Sequence, residues 1–286
     1  MRWTPGGESS NIEDRRGSSG GFGMAHMGIG GTVVVLILSL IFGRNFMGGS
    51  SEPQGYQGVQ DTANGEVAPA QQTPAEAREV QFVSFVLDTA QAVWSRLEPA
   101  TFGRPWTDAK LVLYRDETQT GCGMGQTAMG PFYCPEDKKV YLDLSFFDEL
   151  EQRFGAPGEF AQAYVIAHEL GHHVQDLNGV EAQVRQLQQD HPNQANPLSV
   201  ELELQADCYA GVFGHALQDE KILDPNDIED GLRAASAVGD DRLQQETQGR
   251  VQPETFTHGT SAQRSSWFRK GFDSGDPKAC DTFKGA

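Results

Sequence analysis

Hydrophobic and polar positions divide the chain into four parts. Residues 1–23 are rich in glycine and serine, so we expect a disordered tail there. Residues 24–46 form an apolar run, and residues 47–75 contain almost nothing to bury, which is typical of a flexible linker. Over residues 76–286 the apolar positions recur at the spacings of helices and strands, which predicts one folded domain.

The apolar run over 24–46 predicts a transmembrane helix, because its charge-free stretch just reaches the ~17–20 residues that span a bilayer. A cleavable signal peptide is the alternative. The run continues into Gly43-Arg44-Asn45-Phe46, however, which is a poor cleavage site, so we favour an uncleaved anchor. Arg15 and Arg16 precede the run, which favours a cytoplasmic tail and a folded domain on the other side of the membrane.

Within the folded domain, helical periodicity dominates and strand-like patterns are confined to one region. A capping box over Thr73–Glu76 predicts the start of the first helix. Short runs around 110–115, 121–135 and 138–144 predict a small antiparallel sheet packed against helices. The predicted helices cover about 73–97, 145–154, 158–177, 180–190, 198–218 and 224–238, and a last one follows His258. The expected fold class is α+β and mostly helical, with one added N-terminal transmembrane helix.

The segment His168-Glu169-Leu-Gly-His172 lies inside an apolar, helix-favouring run. At about 100° per residue, His168 and His172 share a helix face and can bind one zinc ion. Glu169 then lies beside the metal, where a general base can take a proton from the water that zinc activates. A surface helix that carries these residues by chance would have polar neighbours, whereas Val165 and Val174 are among several apolar ones.

A catalytic zinc site normally has three protein ligands, so a third must come from elsewhere in the chain. The metzincin pattern is excluded because Gln175 and Asn178 occupy its glycine and third-histidine positions. The best candidate is Glu203; Glu201, on a different helix face, is the second choice. Asp207 shares the face of Glu203 and can accept the free N–H of a liganding histidine. A solvated Glu203 is the alternative, although its helix neighbours are apolar.

Two further histidines have different surroundings. His173 points about 100° away from its neighbour His172, which favours a packed or hydrogen-bonded side chain over a ligand. His258 lies at a loop-to-helix junction, with Arg264 one and a half turns later. His258 can donate to the oxyanion that forms at an attacked peptide carbonyl, or it can make only a structural hydrogen bond. The sequence leaves both roles open.

The composition excludes one class of partner. The formal net charge is −18, and no basic patch with interleaved aromatic residues offsets it, so we expect no nucleic-acid binding. We interpret the acidic composition as a contribution to solubility. The four cysteines show no C-x-x-C spacing of the kind found in zinc ribbons and redox pairs.

Several motifs resemble those of a known family. H-E-L-G-H-H-V-Q, E-L-Q-A-D-C-Y-A-G and H-G-T-S-A-Q-R are similar to motifs of the putative neutral zinc metallopeptidase family of bacteria, as is the opening Met-Arg-Trp. The resemblance implies a zincin-like α+β fold, with zinc ligands His168, His172 and Glu203 and the base Glu169. A wider likeness to gluzincins covers the spacing of His258 and Arg264.

The resemblance also implies a bacterial inner membrane, with the domain facing the periplasm or cell exterior. Cysteines can pair there. Cys122 and Cys134 bracket a short glycine-rich loop, so we expect that pair, which leaves Cys208 with Cys280. Three connectivities are open to four cysteines, and four buried free thiols are the alternative.

The predicted function is that of a membrane-anchored zinc metalloendopeptidase acting on protein or peptide substrates. The alternative is a catalytically silent zinc-binding scaffold of the cell envelope, against which the complete set of expected catalytic residues argues. Hydrolysis of a non-peptide amide is a minor third possibility, because the sequence shows no wall-binding module.

Overall fold

The computed structural model of the protein describes residues 1–17 and 72–283. This part of the chain contains eight α-helices and six β-strands. The helices are α1 (Pro74–Phe102), α2 (Ser145–Gln152), α3 (Glu159–Asn178), α4 (Val180–Asp190), α5 (Ala195–Asp219), α6 (Asp227–Ala237), α7 (Asp240–Gln248) and α8 (Ser261–Ser274). The strands are β1 (Ile12–Asp14), β2 (Lys110–Tyr114), β3 (Glu117–Thr120), β4 (Gly123–Gln126), β5 (Phe132–Cys134) and β6 (Lys139–Asp143).

Helix α1 begins where the sequence predicts. The Thr73 side chain accepts the backbone N–H of Glu76, and the Glu76 side chain accepts that of Thr73, which together form the capping box. The helix passes through Pro99 and ends at Gly103, whose φ of 71° is in the left-handed region that glycine tolerates best. Its buried face packs on α3.

The sheet corrects the predicted fold class. Strands β1, β2 and β6 run parallel, and β5 at the edge is antiparallel to β6, in the order β1-β2-β6-β5. Strands β3 and β4 form a separate antiparallel hairpin. The expectation of one small antiparallel sheet was therefore wrong. The alternation of apolar residues identifies strands but does not encode which strands pair or in which direction.

The N-terminal segment is folded, so the prediction of a disordered tail over 1–23 was wrong for residues 1–17. Strand β1 pairs with β2, placing Ile12 opposite Leu111. The Trp3 ring contacts the Phe82 ring on α1, with centroids 5.2 Å apart. These short pieces bury apolar surface only against distant residues, so local composition does not reveal them.

The membrane-spanning helix in the predicted fold class also needs correction. Within residues 1–17 and 72–283, no helix has the length and apolar character needed to cross a bilayer. The span predicted at 24–46 lies outside the described residues.

Helix α3 is the centre of the domain. Fourteen of its twenty residues are buried, and it packs against α1, α5 and α6 and contacts the sheet through β5 and β6. The helices α5 and α8 pack at backbone distance, because a Cβ at Gly271 would lie 1.9 Å from the Cys208 carbonyl oxygen. This arrangement brings side chains of α3, α5 and α8 together at one place.

Candidate metal centre

Two helices bring three metal-ligating side chains together. His168 and His172 lie one turn apart on α3, and Glu203 projects from α5. The helices approach closely at Gly171, where an added Cβ would lie 3.0 Å from the Cα and carbonyl oxygen of Ala206. Small residues at this crossing allow a carboxylate from one helix to reach imidazoles of the other.

The spacing of these side chains fits a zinc ion. His168 Nε2 lies 3.2 Å from Glu203 Oε2, and His172 Nε2 lies 3.6 Å from Glu203 Oε1. The ligand atoms of the three residues all lie within 4.8 Å of one another. Tetrahedral zinc with bonds of about 2.0–2.1 Å separates its ligand atoms by about 3.4 Å. Two imidazoles and one carboxylate therefore form a set into which zinc fits without large movements.

Hydrogen bonds fix the ring orientation of both histidines. His168 Nδ1 lies 2.9 Å from Asp207 Oδ1, and His172 Nδ1 lies 2.8 Å from Gln175 Oε1. A carboxylate and an amide oxygen only accept, so both Nδ1 atoms carry the proton. Each Nε2 lone pair is then directed to the metal position. Gln175 is itself held, because its Nε2 donates to the Leu202 carbonyl at 2.7 Å.

Asp207 lies at the centre of a buried network. Arg264 donates through Nε to Asp207 Oδ2 at 2.8 Å and through a terminal nitrogen to Oδ1 at 3.0 Å. The Tyr164 hydroxyl donates to Oδ1 at 2.5 Å. Burial opposes the charge, yet Arg264 and His168 hold the pKa of Asp207 below its usual range. The bidentate ion pair keeps Asp207 ionised where it accepts from the histidine.

His258 lies beside this group, held by an acid that the sequence analysis missed. His258 Nδ1 lies 3.1 Å from Asp240 Oδ1, while Asp240 Oδ2 accepts the backbone N–H groups of residues 257–259 at 2.6–3.1 Å. Burial opposes the imidazolium, but the hydrogen bond to Asp240 and the nearby charge of Glu203 raise the pKa of His258. The side chain is 32% exposed, so it is accessible from solvent.

The other predicted residues have distinct environments. Glu169 is 8% exposed, and its carboxylate makes no hydrogen bond or ion pair with the described residues. His173 is fully buried, with Nε2 2.7 Å from the Thr107 carbonyl and Nδ1 2.9 Å from the Tyr133 hydroxyl. His173 therefore has a structural role, as its position predicts. Glu201 stays outside the ligand group.

The charges around His168 favour its protonation. Burial disfavours charge on His168, but Asp207 and Glu203 outweigh it and raise the pKa of His168 to about 10. Burial also opposes charge on Glu203, yet His172 and His168 hold the pKa of Glu203 well below its usual range. Metal binding must displace such a proton, so zinc affinity will rise with pH.

The cysteines form two disulfides. Cys122 bonds to Cys134, joining the turn of the β3–β4 hairpin to β5. Cys208 bonds to Cys280, which fixes the C-terminal segment to α5 one residue after Asp207. Both pairs are those that we expected. Disulfides persist in oxidising compartments, and a location outside the cytoplasm stays a prediction.

Sequence reasoning missed Asp240, Tyr164 and Gln175 as parts of the centre. Tyr164 and Gln175 share α3 with the two histidines. Tyr164 lies four residues before His168 and Gln175 lies three after His172, so helical spacing could have found them. Asp240 is 18 residues from His258 and starts a different helix, so no local signal identifies it.

An H-E-x-x-H helix joined by a carboxylate from a second helix is the metal centre of a class of zinc metallopeptidases. The sequence comparisons agree with this assignment. The chain belongs to the family described as putative neutral zinc metallopeptidase, whose profile matches residues 1–283. This membership confirms the resemblance seen in the sequence, and it implies zinc as the metal.

Similar proteins occur in distant bacteria. The chain is 49% identical over 296 aligned positions to "Uncharacterized protein YpfJ" of Escherichia coli (strain K12), with 99% of each chain covered. It is 46% identical over 210 positions to "Uncharacterized protein Rv2575" of Mycobacterium tuberculosis (strain ATCC 25618 / H37Rv), covering 70% of this chain and 69% of the relative. No solved structure matches the chain.

Proposed function

We propose that this protein hydrolyses peptide bonds as a zinc-dependent endopeptidase. The observation that carries the proposal is the joint placement of His168, His172 and Glu203. Glu169 follows His168 on α3, and its carboxylate has no partner among the described residues. A purely structural zinc site would have four protein ligands and would leave no place for a base. An unpaired carboxylate beside the ligand group therefore favours catalysis over the alternative of a silent scaffold.

His168, His172 and Glu203 would hold the zinc ion. When bound, zinc lowers the pKa of a coordinated water to about 7 and polarises a carbonyl as a Lewis acid. Glu169 takes the proton from the attacking water and delivers it to the leaving amine. Arg264 and Asp207 keep His168 oriented through the Nδ1 hydrogen bond.

His258 supplies the second catalytic group. In its protonated form it can donate from Nε2 to the substrate oxygen as negative charge develops there. Asp240 accepts from Nδ1 and stabilises the imidazolium, which is the positioning role of a carboxylate behind a catalytic histidine. The same pair explains why the pKa of His258 is raised.

Metal removal tests the proposed function directly. The purified protein should cleave unfolded proteins, lose that activity completely on treatment with a chelator, and recover it when zinc is added back. The measurement is fragment formation followed by mass spectrometry. Stoichiometric zinc without any cleavage across a broad panel of unfolded proteins would instead support the scaffold alternative.

The His258–Asp240 pair predicts a pH dependence. A raised pKa means that the imidazolium is fully present below about pH 6.5 and is lost as the pH rises through the folded value. Cleavage should therefore decline on the alkaline side. Asp240→Asn removes the acceptor charge, lowers the pKa of His258 and should move this alkaline decline to lower pH, while the acid side stays in place.

The exposed Asp273 on α8 provides the matched control for this measurement. Asp273→Asn changes the charge by the same amount and should leave the pH profile of kcat/KM unchanged. An alkaline decline at the same pH in Asp240→Asn and the unsubstituted protein would rule out His258 as the group that titrates.

A further inference from the structure

A groove of about 480 Å³ opens beside the loop that carries His258. One wall is the N-terminal part of α5, and the opposite wall is formed by the loop after α7 and the start of α8. Val200 and Glu203 are three residues apart on α5, so they share a face and lie about 4.5 Å apart along the helix axis. The groove is therefore continuous with the face that carries the third ligand.

The groove also adjoins His258. Gly259 lines it with a φ of +91°, and an added Cβ would lie 3.2 Å from Val200 Cγ1. The absence of a side chain at Gly259 lets the His258 loop lie directly on α5. A peptide that presents its carbonyl to the metal and to His258 would thus have one neighbouring side chain at the mouth of this groove.

The middle of the groove is apolar. Val200, Val251, Pro253 and Phe256 contribute its hydrophobic lining, and Val251 is 41% exposed. Such a surface favours a side chain with a long hydrocarbon part, because burial of each CH₂ group removes apolar surface from water.

Every charged residue that lines the groove among the described residues is acidic, namely Glu201, Asp241 and Glu254. Glu201 lies about 160° around the α5 axis from Glu203, so it stands at the side of the groove away from the metal. Its carboxylate has no hydrogen bond or ion pair within the described part of the chain. A cationic side chain would complement the negative charge of these carboxylates.

We infer that this groove is the specificity pocket of the peptidase and that it binds a lysine or arginine side chain adjacent to the scissile bond. The aliphatic stem lies along Val200 and Phe256, and the cationic group lies beside Glu201 and Glu254. This inference rests on the proposed function, because it assigns the substrate side chain of that same site.

Dipeptide hydroxamates test the inference without requiring turnover, since the hydroxamate is a chelating group that anchors the peptide at the metal. Compounds with lysine, norleucine or glutamate at either position are titrated by calorimetry into the zinc-loaded protein. The lysine compound should bind about five- to tenfold tighter than its uncharged norleucine counterpart at one of the two positions, and the glutamate compound should bind weakest. Added salt should reduce the difference.

Two variants test whether Glu201 and Glu254 cause the preference for lysine over norleucine. The double variant Glu201→Gln/Glu254→Gln should bind the lysine and norleucine compounds equally, whereas Glu151→Gln, an exposed acid on α2, should keep the preference. Equal binding of lysine and norleucine by the unsubstituted protein would overturn the inference and leave the proposed function standing. A preference that persists in the double variant would also overturn it. Failure of every compound to bind the zinc-loaded protein would overturn the inference together with the proposed function.

Discussion

Glu169→Gln should abolish peptide cleavage while leaving the zinc content unchanged. The substitution keeps the shape and burial of the side chain but removes the group that accepts a proton from the attacking water. General base catalysis contributes about 10²–10⁴-fold, so kcat should fall by at least about two orders of magnitude. Because Glu169 is not a ligand, metal analysis should still find one zinc per chain.

The control for this experiment is Glu151→Gln, which makes the same chemical change on the exposed face of α2. It should cleave at the rate of the unsubstituted protein. Glu169→Gln with full activity would remove the base from the mechanism, and Glu169→Gln without zinc would show that the carboxylate serves the metal instead. The inactive variant would also retain substrates, so proteins recovered with it from cells would identify them.

Glu203→Ala should lose zinc and all activity together. The substitution leaves only two imidazoles from one helix, and catalytic zinc normally needs three protein ligands. It also removes the carboxylate that faces both histidines, at 3.2 Å from His168 and 3.6 Å from His172. Zinc should dissociate during dialysis, and kcat/KM should fall below detection.

Glu201→Ala is the matched comparison, because the sequence alone offered Glu201 as the second choice of ligand. Glu201 lies two residues away on the same helix but outside the ligand group, so Glu201→Ala should keep stoichiometric zinc. Circular dichroism of both variants would show whether each is folded. Zinc retention by a folded Glu203→Ala would mean that another residue completes the centre.

Some features of the molecule were predictable because their signals are local. The capping box at Thr73, the helical spacing of His168 and His172, and the adjacent Glu169 all depend on residues within one or two turns. Glu203 was predictable from its own helix pattern once a third ligand was required. Short-range periodicity carries this information, because one helix presents the same face wherever it packs.

Other features depended on residues that are distant in the sequence. The parallel pairing of β1 with β2 joins residues about 100 positions apart, and it corrected both the predicted antiparallel sheet and the disorder predicted for residues 1–17. Asp240 reaches His258 from the start of another helix, and Arg264 reaches Asp207 from 57 residues away. No periodic pattern encodes such contacts, because they depend on how the helices pack.

The sequence by itself determined the helix that carries His168, Glu169 and His172, the acidic character of the protein and the family that its motifs resemble. Only the tertiary structure decided that Gln175 orients His172, that Asp240 supports His258, and that a groove with acidic residues lies beside the His258 loop. The physical reason is that spacing along one helix fixes which side chains share a face. Which helix faces pack against each other is decided by the burial of apolar surface across the whole domain.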